Sequence, residues 1–384
     1  MQNKLIPFLD SMATTPVDPD VVTAMLPFLS NNYGNPSSNN YYGNQARAAI
    51  EKARQQVATA IGTQAEQIIF TSGATESINL AIKGAANFYR KSGNHIITLT
   101  TEHAATLASC QHLESKGFDV TYINPETNGI LDLNKLKQAL RTNTILVSIC
   151  HVNNEIGVIQ DIEAIAEIVA ASGALLHVDG AQTIGKAPLN LHNSKIAMMS
   201  FSAHKSYGPK GVGALYLRSD PKLHLSPLNH GGGQEKKIRA GTLATHQIVG
   251  MGKAFEIAAL NHTENLKHVI SLAKQLKTGL ESIPNTSING DIDQRVPHNL
   301  NITFHKLPGD ILFNCIQSEI AVASGSACNT HEITVSHVLT AIGISRDDAN
   351  ATIRYSIGKH TTTADIKAAI DITKTTANKL TKSI

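Results

Sequence analysis

The chain has 384 residues, 42% of them hydrophobic, and 33 Lys and Arg residues against 30 Asp and Glu give a net charge of +3. This length allows a large core and about two domains. The small charge excludes a protein that binds nucleic acid mainly by electrostatics. No apolar run approaches the ~20 residues that span a bilayer, and the first ten residues lack a secretion signal, so we expect a cytoplasmic protein with no membrane partner.

Short apolar runs alternate with helix-like stretches from about residue 65 to 220. This alternation predicts an α/β domain with a mostly parallel sheet between helices, whose ligand lies beyond the carboxyl ends of the strands. The predicted strands are 67–70, 95–100, 120–123, 144–149, 175–178, 196–201 and 213–217. The predicted helices are 75–90, 104–116, 133–141 and 162–171.

The pattern changes after about residue 245. A helix over 247–260, with or without a continuation to about 282, precedes a strand at 299–304, a helix at 309–319 and a Gly/Ser stretch at 323–326. A polar loop, a strand at 351–357 and a terminal helix follow. These elements predict a large domain over 15–258 and a smaller α+β domain formed by 1–14 and 259–384.

The segment TSGATES (71–77) lies between a predicted strand and a predicted helix. Amides at a helix N-terminus, with the hydroxyls of Thr71, Ser72 and Thr75, form an anion site that suits phosphate. An ordinary capped helix start explains the same residues.

Two further segments place reactive side chains at strand ends. HVDGAQ (177–182) ends a strand at Asp179, whose carboxylate can pair with a cationic ring nitrogen or begin a turn. In SFSAHKSYGPKG (200–211), Lys205 follows a histidine and a serine, which suits a buried amine of lowered pKa, although a lone loop lysine is usually solvated. A phosphate cradle, a carboxylate and a lysine together predict a pyridoxal 5'-phosphate (PLP) site.

Ordered motifs along nearly the whole chain strengthen this prediction. They are ATTPVDP (13–19), GNPSS (34–38), FTSGATES (70–77), TEH (101–103), HVNNEIG (151–157), HVDGAQ, SFSAHKSYGPKG, HGGGQE (230–235), AGT (240–242), ASGSAC (323–328) and IRYSIG (353–358). With these motifs the sequence resembles the cysteine desulfurases of the IscS and NifS type, which are fold type I PLP enzymes of the class V aminotransferase family.

The resemblance implies a role for each matching residue. Lys205 matches the lysine that binds PLP as an imine, Asp179 the partner of the pyridine nitrogen, and Gln182 the contact to the phenolic oxygen. His103 matches the histidine that stacks on the ring and transfers protons. The phosphate-binding positions are Ala74, Thr75, Ser202 and His204, and Thr242 reaches the phosphate across a homodimer interface. Asn154 contacts the cofactor and substrate, and Arg354 binds the substrate carboxylate. Without the resemblance, an exposed strand residue is favoured for Arg354 and a helix cap fits His103; the resemblance favours the site roles.

Cys328 matches the family nucleophile. The resemblance implies that its thiolate takes the sulfur of L-cysteine, releases L-alanine and holds a persulfide, which can transiently ligate an iron–sulfur cluster. The segment before Cys328 is rich in Gly and Ser, which favours movement between donor and acceptor. The thiolate is the reactive form, so a nearby base must help. We expect Cys110, Cys150 and Cys315 to be buried thiols without this role.

The sulfur acceptor stays open at this point. An iron–sulfur scaffold protein or a relay for thiolation of tRNA or cofactors fits, with no direct nucleic-acid contact. The chain ends at Ile384, before the tail with which housekeeping members dock the scaffold, and it has Ser11 and Val335 where the family often has Tyr and Pro.

Other functions are weighed against this one. A structural metal site could use Cys328, His331 and His337 with His224 or His230, but no second tight ligand pair is present, so we expect no intrinsic metal. A non-catalytic sulfur-relay scaffold, a selenocysteine lyase or an aminotransferase would share the fold. An aminotransferase does not need Cys328 in its SGSAC setting.

Overall fold

A computed structural model describes residues 6–324, 326–329 and 332–382, of which residues 326–329 and 332–334 are described by their backbone alone. The strands of the larger sheet are β1 (Ile68–Thr71), β2 (His95–Leu99), β3 (Asp119–Ile123), β4 (Thr144–Cys150), β5 (Leu175–Asp179), β6 (Met198–Ser202) and β7 (Gly213–Leu217). The smaller strands are β8 (Thr286–Ile288), β9 (Asn299–Phe304), β10 (Ala323–Ser324), β11 (Ser326–Asn329), β12 (Glu332–Val335) and β13 (Thr352–Ser356).

The helices alternate with the strands in the first part of the chain and dominate the second part. They are α1 (Pro19–Met25), α2 (Pro27–Ser30), α3 (Tyr41–Ala60), α4 (Ala74–Tyr89), α5 (Ala104–Glu114), α6 (Leu133–Ala139), α7 (Ile162–Ala171), α8 (Thr245–Leu260), α9 (His262–Glu281), α10 (Gly309–Ile316), α11 (His337–Ala341), α12 (Arg346–Asn350) and α13 (Thr363–Thr381). No helix of the described residues is long and apolar enough to cross a membrane.

The larger sheet has seven strands in the order β1-β7-β6-β5-β4-β2-β3. Strand β7 pairs antiparallel with both of its neighbours, and the other pairs are parallel. The carboxyl ends of β1, β4, β5 and β6 therefore lie at the same edge of the sheet. The predicted mixed α/β fold is confirmed.

Helices cover both faces of this sheet because its strands are apolar on both sides. Ile68 and Phe70 pack with α3, α7 and α8 on one face, and Ile69 packs with α4 and α5 on the other. Each such side chain stabilises the fold by ~1.5–3 kcal/mol when it is fully buried. This packing fixes the strand ends that carry the candidate site.

A second sheet has the order β10-β13-β9-β8, and α9, α10 and α13 cover it. The N-terminal segment joins this region: Phe8 forms a bridge with Ala321, and Asp10 with Ser356. Leu9 is fully buried in the same core. These contacts agree with placing the N-terminal segment in the smaller domain. The domain bounds themselves stay a prediction.

The structure contains elements that the sequence did not predict, among them α1, α2, β8, α11 and α12. Helix α3, which was not predicted, begins at its N-cap Asn40 and buries Ile50 and Val57 against the sheet. Part of the polar loop that was expected after residue 326 forms a two-stranded hairpin, in which β11 pairs antiparallel with β12 and Cys328 lies opposite Ile333.

Candidate active site

A cavity of about 460 Å³ opens at the carboxyl ends of β1, β4, β5 and β6. It lies where the strand order predicts a ligand site in an α/β sheet. The predicted site residues that line it are Ala74, Thr75, His103, Asn154, Asp179, Gln182, Ser202, His204 and Lys205. The fold therefore brings together residues that are up to 131 positions apart in the sequence (205 − 74).

The turn between β1 and α4 forms one wall of this cavity. Gly73 is the N-cap of α4 and has a φ of 154°, which favours glycine. Ala74 and Thr75 begin the helix, so their backbone N–H groups are among those that lack a helical partner. The Thr71 hydroxyl, which was expected to help bind an anion, is not directed to the cavity. It donates to the Gly73 carbonyl and bonds the Ser77 hydroxyl at 2.7 Å.

A carboxylate already lies beside this cradle. Glu76 accepts a hydrogen bond from the Ser72 backbone N–H at 2.6 Å and forms an ion pair with Arg239 at 2.9 Å. Burial alone would raise the pKa of Glu76, but the hydrogen bonds from Arg239 and Ser72 bring it below the ordinary value. Glu76 is thus an anion that holds Ser72 and Arg239 at the rim of the cradle.

Strand β6 ends at Ser202, which is buried, and His204 follows two residues later. The Nδ1 atom of His204 bonds the Thr14 hydroxyl at 3.1 Å. Burial, followed by the charges of nearby lysines, lowers the pKa of His204 to about 4. The imidazole is therefore uncharged at neutral pH and acts as a hydrogen-bonding group.

Asp179 ends β5 and is 6% exposed. One carboxylate oxygen accepts a hydrogen bond from the Ala181 N–H at 2.9 Å, so the turn-forming role weighed for Asp179 is present together with its place in the cavity. Gln182 donates through Nε2 to the Met12 carbonyl at 2.7 Å, and its buried Oε1 has no partner among the described residues. An acceptor left in this way suits a ligand hydroxyl or N–H.

Lys205 extends into the cavity from the loop after β6. Burial lowers the pKa of its amine; the Asp179 carboxylate opposes this effect and Arg354 adds to it. A buried lysine with a lowered pKa is more readily uncharged, and an uncharged amine is the nucleophilic form.

His103 occupies the turn between β2 and α5 and has two roles. It is the N-cap of α5, where Nδ1 accepts from the Ala105 N–H at 3.1 Å, and it lines the cavity. Burial lowers the pKa of His103. The charges of Lys205 and His337 lower this pKa further, and the charge of Asp179 opposes them. Its imidazole is thus uncharged near neutral pH, and because Nδ1 accepts from Ala105, the ring proton is on Nε2.

Arg354 lies on β13, next to the cavity wall but outside its lining. It is 8% exposed, and its guanidinium donates to the Asn154 carbonyl at 2.9 Å and to the Asp10 carboxylate at 2.6 Å. Its Nε has no hydrogen-bond partner among the described residues. The alternative of an exposed strand residue is wrong, because Arg354 is buried.

Besides Arg354, two predicted site residues are not placed in the cavity lining by the described part of this chain. Thr242 is exposed on the loop before α8 and does not line the cavity. Cys328 lies on β11, and its side chain is outside the described residues.

The remaining cysteines divide into two kinds. Cys110 and Cys150 are buried, as expected. The expectation for Cys315 is wrong, because this thiol is exposed. Helix α10 buries Leu312 and Ile316, which lie four residues apart on one face, and Cys315 falls outside that face.

The sequence did not predict three ionisable residues near the site, of which Glu102 and Lys186 are buried and Glu155 is half-buried. Glu102 precedes His103, Glu155 follows Asn154, and Lys186 donates through Nζ to the Lys205 carbonyl at 2.7 Å. Their position inside the quoted family motifs, or just after one, is the only sequence signal that could have singled them out. Within the described residues, no group of three or more His, Cys, Asp or Glu side chains could hold a metal ion.

A sheet edge that presents a lysine, a carboxylate and a helix N-terminus to one cavity defines a class of enzyme that binds a phosphorylated aldehyde. Comparison with known proteins identifies the family within this class. The model of the aminotransferase class-V family matches residues 7–369. A solved structure described as a NifS-like protein is 36% identical with a TM-score of 0.91, and the match covers 98% of this chain and 100% of that one.

Relatives in bacteria give the closer assignment. Cysteine desulfurase IscS of Vibrio atlanticus (strain LGP32) is 49% identical over 380 residues, which cover 98% of this chain and 94% of that protein. Cysteine desulfurase IscS of Ruthia magnifica subsp. Calyptogena magnifica is 50% identical over 376 residues, or 97% and 93% of the two chains. This chain belongs to the class-V aminotransferase family and, within it, to the cysteine desulfurases, which are PLP enzymes. The predicted family and enzyme class are confirmed.

Proposed function

We propose that this chain binds PLP in the cavity at the strand ends and uses it to transfer sulfur from L-cysteine to Cys328. The products are L-alanine and a persulfide: the substrate's C–S bond breaks, the new S–S bond forms on Cys328, and a proton is delivered to the substrate carbon. The observation that carries this proposal is the convergence of Lys205, Asp179 and the α4 N-terminus on one cavity.

The residues of the cavity fit the cofactor. Backbone N–H groups of Ala74 and Thr75, with Ser202 and His204, would hold the phosphate. The unpartnered Oε1 of Gln182 marks a side-chain amide that still has a hydrogen bond to make on the ligand. When bound, PLP withdraws electrons from the α-carbon of the amino acid, and Asp179 would maintain this effect by keeping the pyridine nitrogen protonated.

The basic groups of the chain would move the protons. The lowered pKa of Lys205 leaves an amine that can accept a proton near neutral pH, and the lowered pKa of His103 leaves an uncharged imidazole that can form a hydrogen bond to the ligand. Arg354 would orient the substrate carboxylate, because its buried guanidinium keeps one N–H without a partner next to Asn154.

The proposal extends to a homodimer and to a sulfur acceptor. Thr242 is exposed in this chain, which agrees with a contact to the phosphate of a partner subunit. The exposed side chains of Leu29, Tyr33 and Tyr41 support an interface. The relatives are named IscS, which supports delivery of sulfur to iron–sulfur cluster assembly, with a thiolation relay as the other acceptor. A cytoplasmic location stays a prediction.

The test replaces the two central residues. Cys328→Ser should abolish alanine release from L-cysteine and leave the visible absorption of the bound cofactor intact. Lys205→Ala should lose that absorption, because the amine that binds the cofactor is gone. Cys315→Ser, which removes an exposed thiol elsewhere, is the matched control and should keep full activity.

Mass spectrometry of the cysteine-treated protein should find the additional sulfur on the peptide that contains Cys328. A fully active Cys328→Ser variant would show that another group accepts the sulfur. Purified protein that contains stoichiometric metal and does not absorb in the visible after incubation with PLP would refute the proposal as a whole.

A further inference from the structure

Glu102 lies directly behind the floor of the active site. It is fully buried in the turn between β2 and α5 and does not line the cavity. Its Oε1 accepts a hydrogen bond from the backbone N–H of Cys150 at 3.0 Å. Cys150 ends β4 and pairs with Asp179 at the end of β5, so one strand separates the two acidic residues.

The backbone of Glu102 makes a second connection. Its carbonyl oxygen accepts a hydrogen bond from Nε2 of His337 at 2.9 Å. His337 begins α11, two residues after the hairpin that contains Cys328. Glu102 therefore joins the turn of His103, the end of β4 and the base of the Cys328 hairpin.

No lysine or arginine among the described side chains acts on the Glu102 carboxyl group. The ionisable groups nearby are Cys110 on α5, Cys150 on β4, Asp179 on β5 and His337 on α11, beside the adjacent His103. Its second oxygen, Oε2, is buried and has no hydrogen-bond partner among the described residues. A carboxylate with one hydrogen bond and no counter-charge is costly in such a site, whereas the protonated acid is tolerated.

The proton affinity of Glu102 agrees with this geometry. Its pKa is raised to about 8, mainly by burial. The hydrogen bond from Cys150 lowers this pKa, and the negative charge of Asp179 raises it. Burial also raises the pKa of the Cys150 thiol, with Glu102 adding to the effect.

We propose that Glu102 is a positioning residue that works as an uncharged carboxylic acid, fixing the turn of His103 and the end of β4 without adding a second negative charge beside Asp179. The role in catalysis rests on the proposed function, because it is defined relative to Asp179 and Lys205. A second anion there would stabilise the protonated forms of Lys205 and His103, and proton transfer needs both groups uncharged.

The first test uses the protein without cofactor, so it does not depend on the proposed function. A carboxyl group whose pKa is raised on folding stabilises the protein below its unfolded pKa and loses that contribution as the pH rises through the folded value. The unfolding temperature of the wild type should therefore fall between about pH 5 and pH 8 relative to that of Glu102→Gln, which keeps the shape and cannot ionise. Glu126→Gln, which removes a half-exposed carboxylate paired with Lys135, should follow the wild type.

The second test uses the loaded enzyme. Glu102→Gln should keep the visible absorption of the cofactor, and its kcat at pH 7 should stay within about threefold of the wild-type value. The alkaline limb of its kcat profile should shift to higher pH. Glu102→Asp, whose shorter side chain cannot reach the Cys150 N–H, should lower kcat at least tenfold. If the stability of the wild type and that of Glu102→Gln depend identically on pH, Glu102 is not protonated in the folded protein. If the Gln variant folds but fails to bind cofactor, the negative charge of Glu102 is required.

Should Glu102→Gln fail to fold, infrared difference spectra of the wild type between about pH 6 and pH 9.5 decide the question. The band of a protonated carboxylic acid should disappear over this range, and its absence at the lower pH would refute the inference. If the wild type has no desulfurase activity, the stability and infrared results still report on Glu102.

Discussion

Lys186 is a buried amine that contacts the loop of Lys205. It is 7% exposed, and its amine contacts the carbonyl of Lys205 from the side away from the cofactor cavity. Burial, followed by the charge of Lys205, lowers the pKa of Lys186 to about 7. The folded chain therefore releases a proton that the unfolded chain still holds up to its ordinary pKa.

This difference predicts a stability that depends on pH. Because the folded-state pKa is depressed, the wild type should gain free energy of unfolding as the pH rises from about 7 to 10, at most about 1.4 kcal/mol per pH unit from this residue. Lys186→Met has no proton to lose and loses one hydrogen bond, worth about 1 kcal/mol. Urea unfolding at pH 7 and pH 9.5 should show the variant's relative stability falling by up to about 3 kcal/mol.

Lys137→Met, at an exposed position on α6, is the control and should keep a constant difference from the wild type at both pH values. A constant difference for Lys186→Met as well would mean that the amine stays charged in the folded protein.

At the scale of elements, β7 sets the position of the phosphate cradle. Gly213 pairs with Ser202 on one side and with Thr71 on the other, so it lies between the two segments that form the cradle. A Cβ atom at this position would lie 2.5 Å from the Phe201 carbonyl oxygen and 2.7 Å from the Gly73 Cα. Both are backbone atoms, so the turn itself would have to move.

Gly213→Ala should therefore destabilise the protein by roughly 1–3 kcal/mol, as overpacking does. It should also weaken PLP binding by about tenfold for each 1.4 kcal/mol lost at the cradle. Thermal unfolding and titration with PLP measure the two effects. Gly233→Ala meets no atom within 4 Å and should leave the unfolding temperature unchanged; an equally stable Gly213→Ala variant would show that the sheet can absorb the methyl group.

The elements also show which parts of the molecule the sequence could predict. The cradle, Asp179 and Lys205 were predicted because each lies at the end of a short apolar strand, and the strand order brings those ends together. The environment of Arg354 could not be predicted, because its ion pair joins it to Asp10 across 344 positions.

Two errors came from weak local patterns. Helix α3 is polar on average, and only its N-cap Asn40 and the spacing of Ala46, Ile50, Ala53 and Val57 along one face indicate it. The apolar helix around Cys315 favours a buried thiol, but the direction of its side chain depends on which face of α10 meets the core. Helix register relative to a core is a tertiary property and is not contained in composition.

At the scale of the whole molecule, an apolar and aromatic surface remains open next to the loop of Thr242. Leu26, Leu29, Tyr33 and Tyr41 are 55%, 56%, 69% and 71% exposed, and Tyr33 stacks on Tyr42 at 5.5 Å between ring centres. A cavity of about 420 Å³ connects the segment that follows Tyr33 with the 234–236 loop.

That loop is held rigidly against the large core. Arg54 donates two hydrogen bonds to the Glu235 carboxylate, at 2.7 and 2.9 Å, and Glu235 accepts a third from the Phe70 N–H at 2.6 Å. Burial of the Arg54 guanidinium lowers its pKa, but the bonds to Glu235 outweigh this effect and raise it. Removal of one partner from a buried pair costs about 3–5 kcal/mol, so the loop before Thr242 is firmly placed.

We therefore expect the exposed aromatic surface to be the homodimer interface through which Thr242 reaches the other subunit. A stable interface buries about 800 Å² per partner and favours Tyr at its centre, and the combined Tyr33→Asp and Tyr41→Asp substitutions would place unpaired charges there. Sedimentation velocity should show a dimer for the wild type and a monomer for the double variant, and the monomer should bind PLP more weakly because it lacks the partner's hydroxyl.

Two control variants separate dimerisation from PLP binding. Ile292→Asp, at a position that is 62% exposed on the loop after β8, should stay dimeric. Thr242→Ala should also stay dimeric but lose affinity for PLP. A double variant that remains dimeric with unchanged PLP binding would place the interface on another surface.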